Sequence, residues 1–206
     1  MKSDSYHSYP NAPERLSSRC SGRLWTCPAI AAVILIAAAI ALQPVHALQI
    51  AVIKQNKLVY LRRIAPGDGF STGYVHSVEL SPVQEYFCID PDYRIILRET
   101  TFRSSNVGLP YAAFGNEVFH TEADGFRITN MNRVVPQLLI WADRRYENRL
   151  QFKDRDLALY GFAGSTLVQV RIETWRLSAY ALEKTAIWMD RHTTALKEFC
   201  GHENKG

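Results

Sequence analysis

Cysteine is scarce in this sequence, and the few present do not form a metal site. Four occur in 206 residues, with Cys20 and Cys27 ahead of residue 48. Neither Cys88 nor Cys200 belongs to a Cys-x-x-Cys pair or to a Cys/His spacing that would hold structural zinc. What remains is either one disulfide, Cys88 to Cys200, in an oxidising compartment, or a small buried hydrophobe and a free thiol near the C-terminus. An excess of one charge is lacking too. Lys and Arg number 24 against 20 Asp and Glu, and half of the net +4 lies before residue 24, where Lys2, Arg15, Arg19 and Arg23 face Asp4 and Glu14. The remaining charges are scattered, which excludes a nucleic-acid footprint. Residues 48–206 contain no internal repeat and no low-complexity segment, so neither a solenoid nor a disordered tail describes them.

The N-terminus is where the pattern is strongest. A polar leader over 1–23 ends in three arginines and is followed by an uncharged run, 15 residues from Pro28 to Leu42 or 19 if counted from Leu24. The run is apolar on all sides and preceded by basic residues, as in an export signal or membrane anchor, so residues 48–206 are expected on the extracytoplasmic side, periplasmic or anchored to the cell membrane. A spanning helix needs roughly 20 residues, so length alone does not separate signal from anchor. Val45-His46-Ala47 supplies the small residues that a signal peptidase reads, which points to cleavage after Ala47; retention as an anchor is the alternative. The segments are thus a leader at 1–23, a signal or anchor at 24–47, a β-rich domain at 48–174 and a C-terminal helix and tail at 175–206.

Short β-rich runs fill the exported part. Leu48–Ile53 and Lys57–Ile64 read as a hairpin across Lys54-Gln55-Asn56. Ala65-Pro66-Gly67-Asp68-Gly69 breaks the chain before a strand over Tyr74–Val78, and Asp90-Pro91-Asp92 turns it before Tyr93–Phe102. Glu122-Ala123-Asp124-Gly125 is the best tight turn, joining Val118-Phe119 to Phe126-Arg127-Ile128. Further runs lie at 137–142, 148–152 and 157–160, and Thr166–Glu173 alternates strictly. Many short strands at this spacing give a mainly β fold, an antiparallel β-sandwich or barrel-like domain. From Trp175 to about residue 198, Ala, Leu, Glu and Lys favour a C-terminal helix.

The polar groups best placed for chemistry gather in Gly73–Phe87, which reads as strand, proline-bent corner and strand. His76 and Ser77 alternate to opposite faces of a strand, so these neighbours do not make a direct serine–histidine nucleophilic pair. Ser77 also lacks the Gly-x-Ser-x-Gly elbow. Another base would have to come from His46, His120, His192 or His202, none of which sits in a motif. His76 and Glu85 could share a face across the Pro82 corner and meet a metal or a ligand, but two groups are too few to define a metal. The plainer reading has His76 bonding a backbone carbonyl or Glu85 to order the corner, with Glu79 in water.

The pattern Tyr74-Val-His76-Ser77-Val78-Glu79, then Pro82-Val83 and Glu85, preceded by Gly67-Asp68-Gly69-Phe70 and followed by Gly108-Leu109-Pro110, resembles the bacterial family called domain of unknown function 1850. The resemblance extends over roughly residues 55–173. It implies a small exported accessory protein of solute transporters of the tripartite ATP-independent periplasmic (TRAP) type, in the class whose receptor is called TAXI, which move organic acids. The partner it implies is a membrane or receptor subunit of such a transporter, and it implies no enzyme and no cofactor. The sequence departs from the family at Ser104-Ser105-Asn106-Val107, which weakens the case for a backbone contact from that loop. The candidate site is His76, Ser77, Glu79, Glu85 and Gly108, used for binding a protein partner or small anion; the alternative is an exported hydrolase or metal-binding protein built on His76, Ser77 and Glu85.

Overall fold

The computed structural model describes residues 26–104, 108–162 and 164–202, with side-chain surroundings described from residue 28 to residue 192. The leader, Cys20, residues 105–107 and the side chains of Cys200 and His202 therefore lie outside the described residues. The chain separates into two compact units, Met1–Ile40 and Ala41–Gly206. Of the first, the described part is helix α1, Thr26–Ala41, 16 residues without a charge. At 1.5 Å per residue it is about 24 Å long, less than the roughly 30 Å of a hydrocarbon core. Among the described residues no helix is long and apolar enough to cross a membrane.

The second unit is mainly β, built from antiparallel strands in two sheets. The smaller has the order β2 (Lys57–Arg63), β1 (Pro44–Val52), β12 (Thr166–Arg176) and β9 (Leu138–Ala142). The larger runs β11 (Arg155–Ala158), β10 (Arg149–Phe152), β3 (Gly69–Val75), β4 (Pro82–Ile89), β5 (Ile95–Phe102), β7 (Gly125–Thr129) and β6 (Val118–Glu122), with β8 (Arg133–Val135) also paired to β5. Alternation of side chains makes the sandwich. Leu48, Ile50 and Val52 of β1, with Val168 and Val170 of β12, meet Phe70, Phe87, Leu150 and Phe152 of the large sheet in one buried core. Phe70 and Phe87 stack at 4.8 Å between ring centroids.

Strand β1 is buried on both faces. Its other side chains, Val45 and Ala47, pack with Leu61 and with Tyr180 of helix α2, Leu177–His202. The Tyr180 hydroxyl accepts a hydrogen bond from the Arg63 amide at 3.1 Å.

Two expected boundaries move. The first strand begins at Pro44 rather than Leu48, because β12 is long enough to pair with it from Pro44–Arg176 to Val52–Val168. The C-terminal helix begins at Leu177, since Trp175 and Arg176 still belong to β12. The Lys54–Asn56 turn forms as expected, with Asn56 in the left-handed region at φ 46° donating its amide to the Ile53 carbonyl. The tight turn also forms, with Glu122 paired to Gly125.

Candidate functional site

The strand expected over Tyr74–Val78 ends at Val75, and His76 opens a turn instead of alternating on a strand. The His76 amide donates to the Ser81 carbonyl, and its carbonyl accepts from the Leu80 amide, each at 2.9 Å. Its ring Nδ1 accepts from the Glu79 amide at 3.2 Å and the Val78 amide at 3.4 Å. The imidazole thus stands in for a backbone acceptor inside a loop that has no ladder partner. The plainer reading is corrected in its partners: the ring accepts from amides of its own turn, while Glu85 bonds Thr72. Ser77 and Leu80 face solvent, and Glu79 is half-buried.

Glu85 goes elsewhere. In the β3–β4 register Phe70 opposes Phe87, Thr72 opposes Glu85 and Tyr74 opposes Val83. Phe70, Phe87 and Val83 are buried, so Glu85 shares their inward face and points between the sheets. Its Oε2 accepts from the Thr72 hydroxyl at 3.1 Å. Thr72, Tyr74 and Glu85 line a cavity of about 400 Å³ that opens toward strand β9, whose consecutive residues Leu138, Leu139, Ile140 and Trp141 form the facing wall. That volume falls in the ordinary range of binding clefts, and an apolar lining with a few convergent polar groups is their usual composition. Asn148 and Arg149 also line it. They are set there by the preceding turn, where Asn148 Oδ1 accepts from the Asp143 amide at 3.0 Å and Asp143 accepts from the Arg145 guanidinium and the Ser165 hydroxyl. The bonds from Arg145 hold the Asp143 carboxyl far below the usual carboxylate range.

Burial pushes the Glu85 carboxyl up, with the Thr72 hydrogen bond opposing it. Burial, and then the nearby Glu85 charge, push the Tyr74 phenol up to about 12, so it is a hydrogen-bond donor at any physiological pH. Because the folded chain holds the Glu85 proton to higher pH than the unfolded chain does, this group's contribution to stability is complete in acid and declines as pH rises through its raised value. Glu85→Gln keeps an acceptor for Thr72 without the charge. It is expected to stabilise the fold at pH 8 by roughly 1 kcal/mol, about 2–4 °C in melting temperature, with the gain closing near pH 4. A lower melting temperature at pH 8 would show that the fold uses the Glu85 charge.

Of the residues singled out from the sequence, Glu85 lies in the cleft, whereas His76 takes its partners from its own turn. Gly108 adopts φ +85° and passes the chain to Leu109, which is buried against Val83, Phe102, Ile128 and Met131. Cys88 is half-buried, with its sulfur 3.0 Å from Arg98 Nε, and the side chain of Cys200, its expected disulfide partner, lies outside the described residues. Among the described residues no group of three or more His, Cys, Asp or Glu could hold a metal ion. Tyr74, Thr72 and the β9 wall escaped sequence reasoning, although the inward parity of Val83, Glu85 and Phe87 was a usable signal for the acid.

The family model described as domain of unknown function (DUF1850) matches residues 70–159. The match runs from β3 to the end of β11, narrower at both ends than the 55–173 span of the resemblance, and it includes His76, Glu85, Gly108 and the β9 wall. No curated protein and no solved structure matches the chain.

Proposed function

We propose that this chain, a member of the DUF1850 family, is an extracytoplasmic binding module that serves a TAXI-type TRAP transporter, and that it docks an extended segment of that transporter along strand β9. One observation carries this reading. β9 is an end strand of its sheet, paired only with β12 among the described residues, and its unpaired edge opens onto the cleft that holds Glu85. Edge strands are normally blunted by charge, proline or brevity. This one reads Leu-Leu-Ile-Trp-Ala, with Leu139 54% and Trp141 56% exposed. A partner strand added there gains main-chain hydrogen bonds and delivers a side chain into the cleft. A residue carrying a hydrogen-bond donor suits Glu85, and an aromatic or aliphatic neighbour suits the wall. The resemblance to the transporter-associated family supplies the partner, and the uncharged apolar run after the basic leader supports placing the module outside the cytoplasm.

Co-purification tests the docking. Tagged full-length chain co-expressed with the membrane and receptor subunits of a TAXI-type transporter is expected to retain one of them, and Leu139→Lys is expected to lose it with an unchanged melting temperature. Equal capture by both chains excludes β9 as the docking edge.

A further inference from the structure

A second cavity, of about 510 Å³, lies beside β2, at the opposite end of the small sheet from β9, and is walled by β2, β11 and helix α2. Four cations line it: Arg62 of β2, Arg155 of β11, and Lys184 and Arg191 of α2. The last two stand on one face of the helix, seven residues apart, together with Ile187 and Trp188. Carboxylates do not balance them. Asp154 serves both Arg62 at 2.9 Å and Arg155 at 3.6 Å, and Asp156 is held by Arg149 at 2.6 Å. Lys184 lies over the Tyr180 ring, and Arg191 donates to the Val59 carbonyl and lies over Phe162. Among the described residues neither has a carboxylate partner.

Two further features define what would fit. Leu157, Ile187 and Trp188 give the groove an apolar side. Tyr60, which also lines it, is 7% exposed and sets its hydroxyl beside the Arg62 guanidinium. Guanidinium forks and an ammonium from separate elements suit a tetrahedral oxyanion, which offers several acceptor oxygens at once.

We propose that this groove binds an amphiphilic phosphate, the anionic head held by Arg155, Lys184 and Arg191 and the alkyl portion laid along Leu157, Ile187 and Trp188. A phospholipid headgroup in a bilayer and a free alkyl phosphate share this chemistry. The site is independent of the β9 cleft, so Leu139→Lys leaves it intact.

Calorimetric titration of the full-length chain with hexyl phosphate tests it. Saturable binding is expected, weakened at least about tenfold in the Arg155→Gln/Lys184→Gln chain, and weakened again by raising salt from about 0.05 to 0.5 M. Inorganic phosphate and hexanol should each bind at least about tenfold less tightly, since each lacks one half of the recognition. Both substituted side chains are exposed, so the melting temperature should match the parent's and serves as the control for folding. Flotation with phosphatidylcholine vesicles, with and without phosphatidylglycerol, separates the two sources, the affinity contributed by α1 being common to both chains. If only the parent gains binding on the anionic vesicles, the ligand is a bilayer lipid; equal flotation alongside intact hexyl phosphate binding assigns the site to a free amphiphile. Absence of hexyl phosphate binding, binding unchanged by the double substitution, or inorganic phosphate binding as tightly would overturn the proposal.

Discussion

A chain that begins at Leu48 is expected to melt on the order of 10 °C below one that begins at Gln43. The five intervening residues look like the end of a removable leader, yet they supply the first half of the strand at the middle of the small sheet. Pro44, Val45, His46 and Ala47 pair with Arg176, Trp175, Thr174 and Glu173. Val45 and Ala47 are buried beneath α2. The His46 ring stacks on Tyr93 at 3.5 Å between centroids, and its carbonyl accepts from the Ile64 amide at 3.0 Å. The Gln43 carbonyl accepts from the Leu177 amide at 2.9 Å, tying the start of α2 to the start of β1. Burial of a valine is worth about 1.5–3 kcal/mol and an alanine methyl about 0.8. Each lost ladder bond adds roughly 0.5–1.5. A loss of about 4 kcal/mol or more follows, a large part of the 5–15 kcal/mol that a domain typically has. Thermal unfolding of the two purified chains measures it, and equal melting temperatures would mean that residues 43–47 carry none of the fold's stability.

The elements with local signatures were legible in the sequence. Thr166–Glu173 alternated strictly, and Val168 and Val170 are fully buried. The turns at Lys54–Asn56 and Glu122–Gly125 announced themselves by residue type. Two misreadings have physical causes. The first strand reads from Leu48 because Pro44–Ala47 offers small residues after an apolar run; the length of β12, over a hundred residues later, is what carries the strand back to Pro44. At His76 the run of β-formers continues through Val78, but the imidazole accepts from backbone amides and closes a turn, which propensity does not register.

The cleft was the least legible feature. Its walls come from β3, β4, β9 and the start of β10; pairing sets Thr72 beside Glu85, and only the packing of one sheet on the other brings them opposite Leu138–Trp141. Glu85 could be picked out as an acid, but not as a buried one. His76, the histidine of the motif, serves the turn, its ring accepting from the Val78 and Glu79 amides.

The two readings of Gly73–Phe87, one centred on the His76 corner and one on the Glu85 cleft, separate in cells that depend on the transporter. Trp141→Lys places a charge on the β9 edge at a half-exposed position, so it should leave folding intact while opposing an apolar partner strand. His76→Ala removes the acceptor for the Val78 and Glu79 amides, a loss of roughly 0.5–1.5 kcal/mol, without touching the cleft. The deciding measurement is organic-acid uptake through a TAXI-type transporter, normalised to the amount of folded chain. Trp141→Lys is predicted to lower uptake at least about tenfold, the scale of a central interface residue, while His76→Ala retains it. Uptake abolished by His76→Ala and untouched by Trp141→Lys would contradict the account.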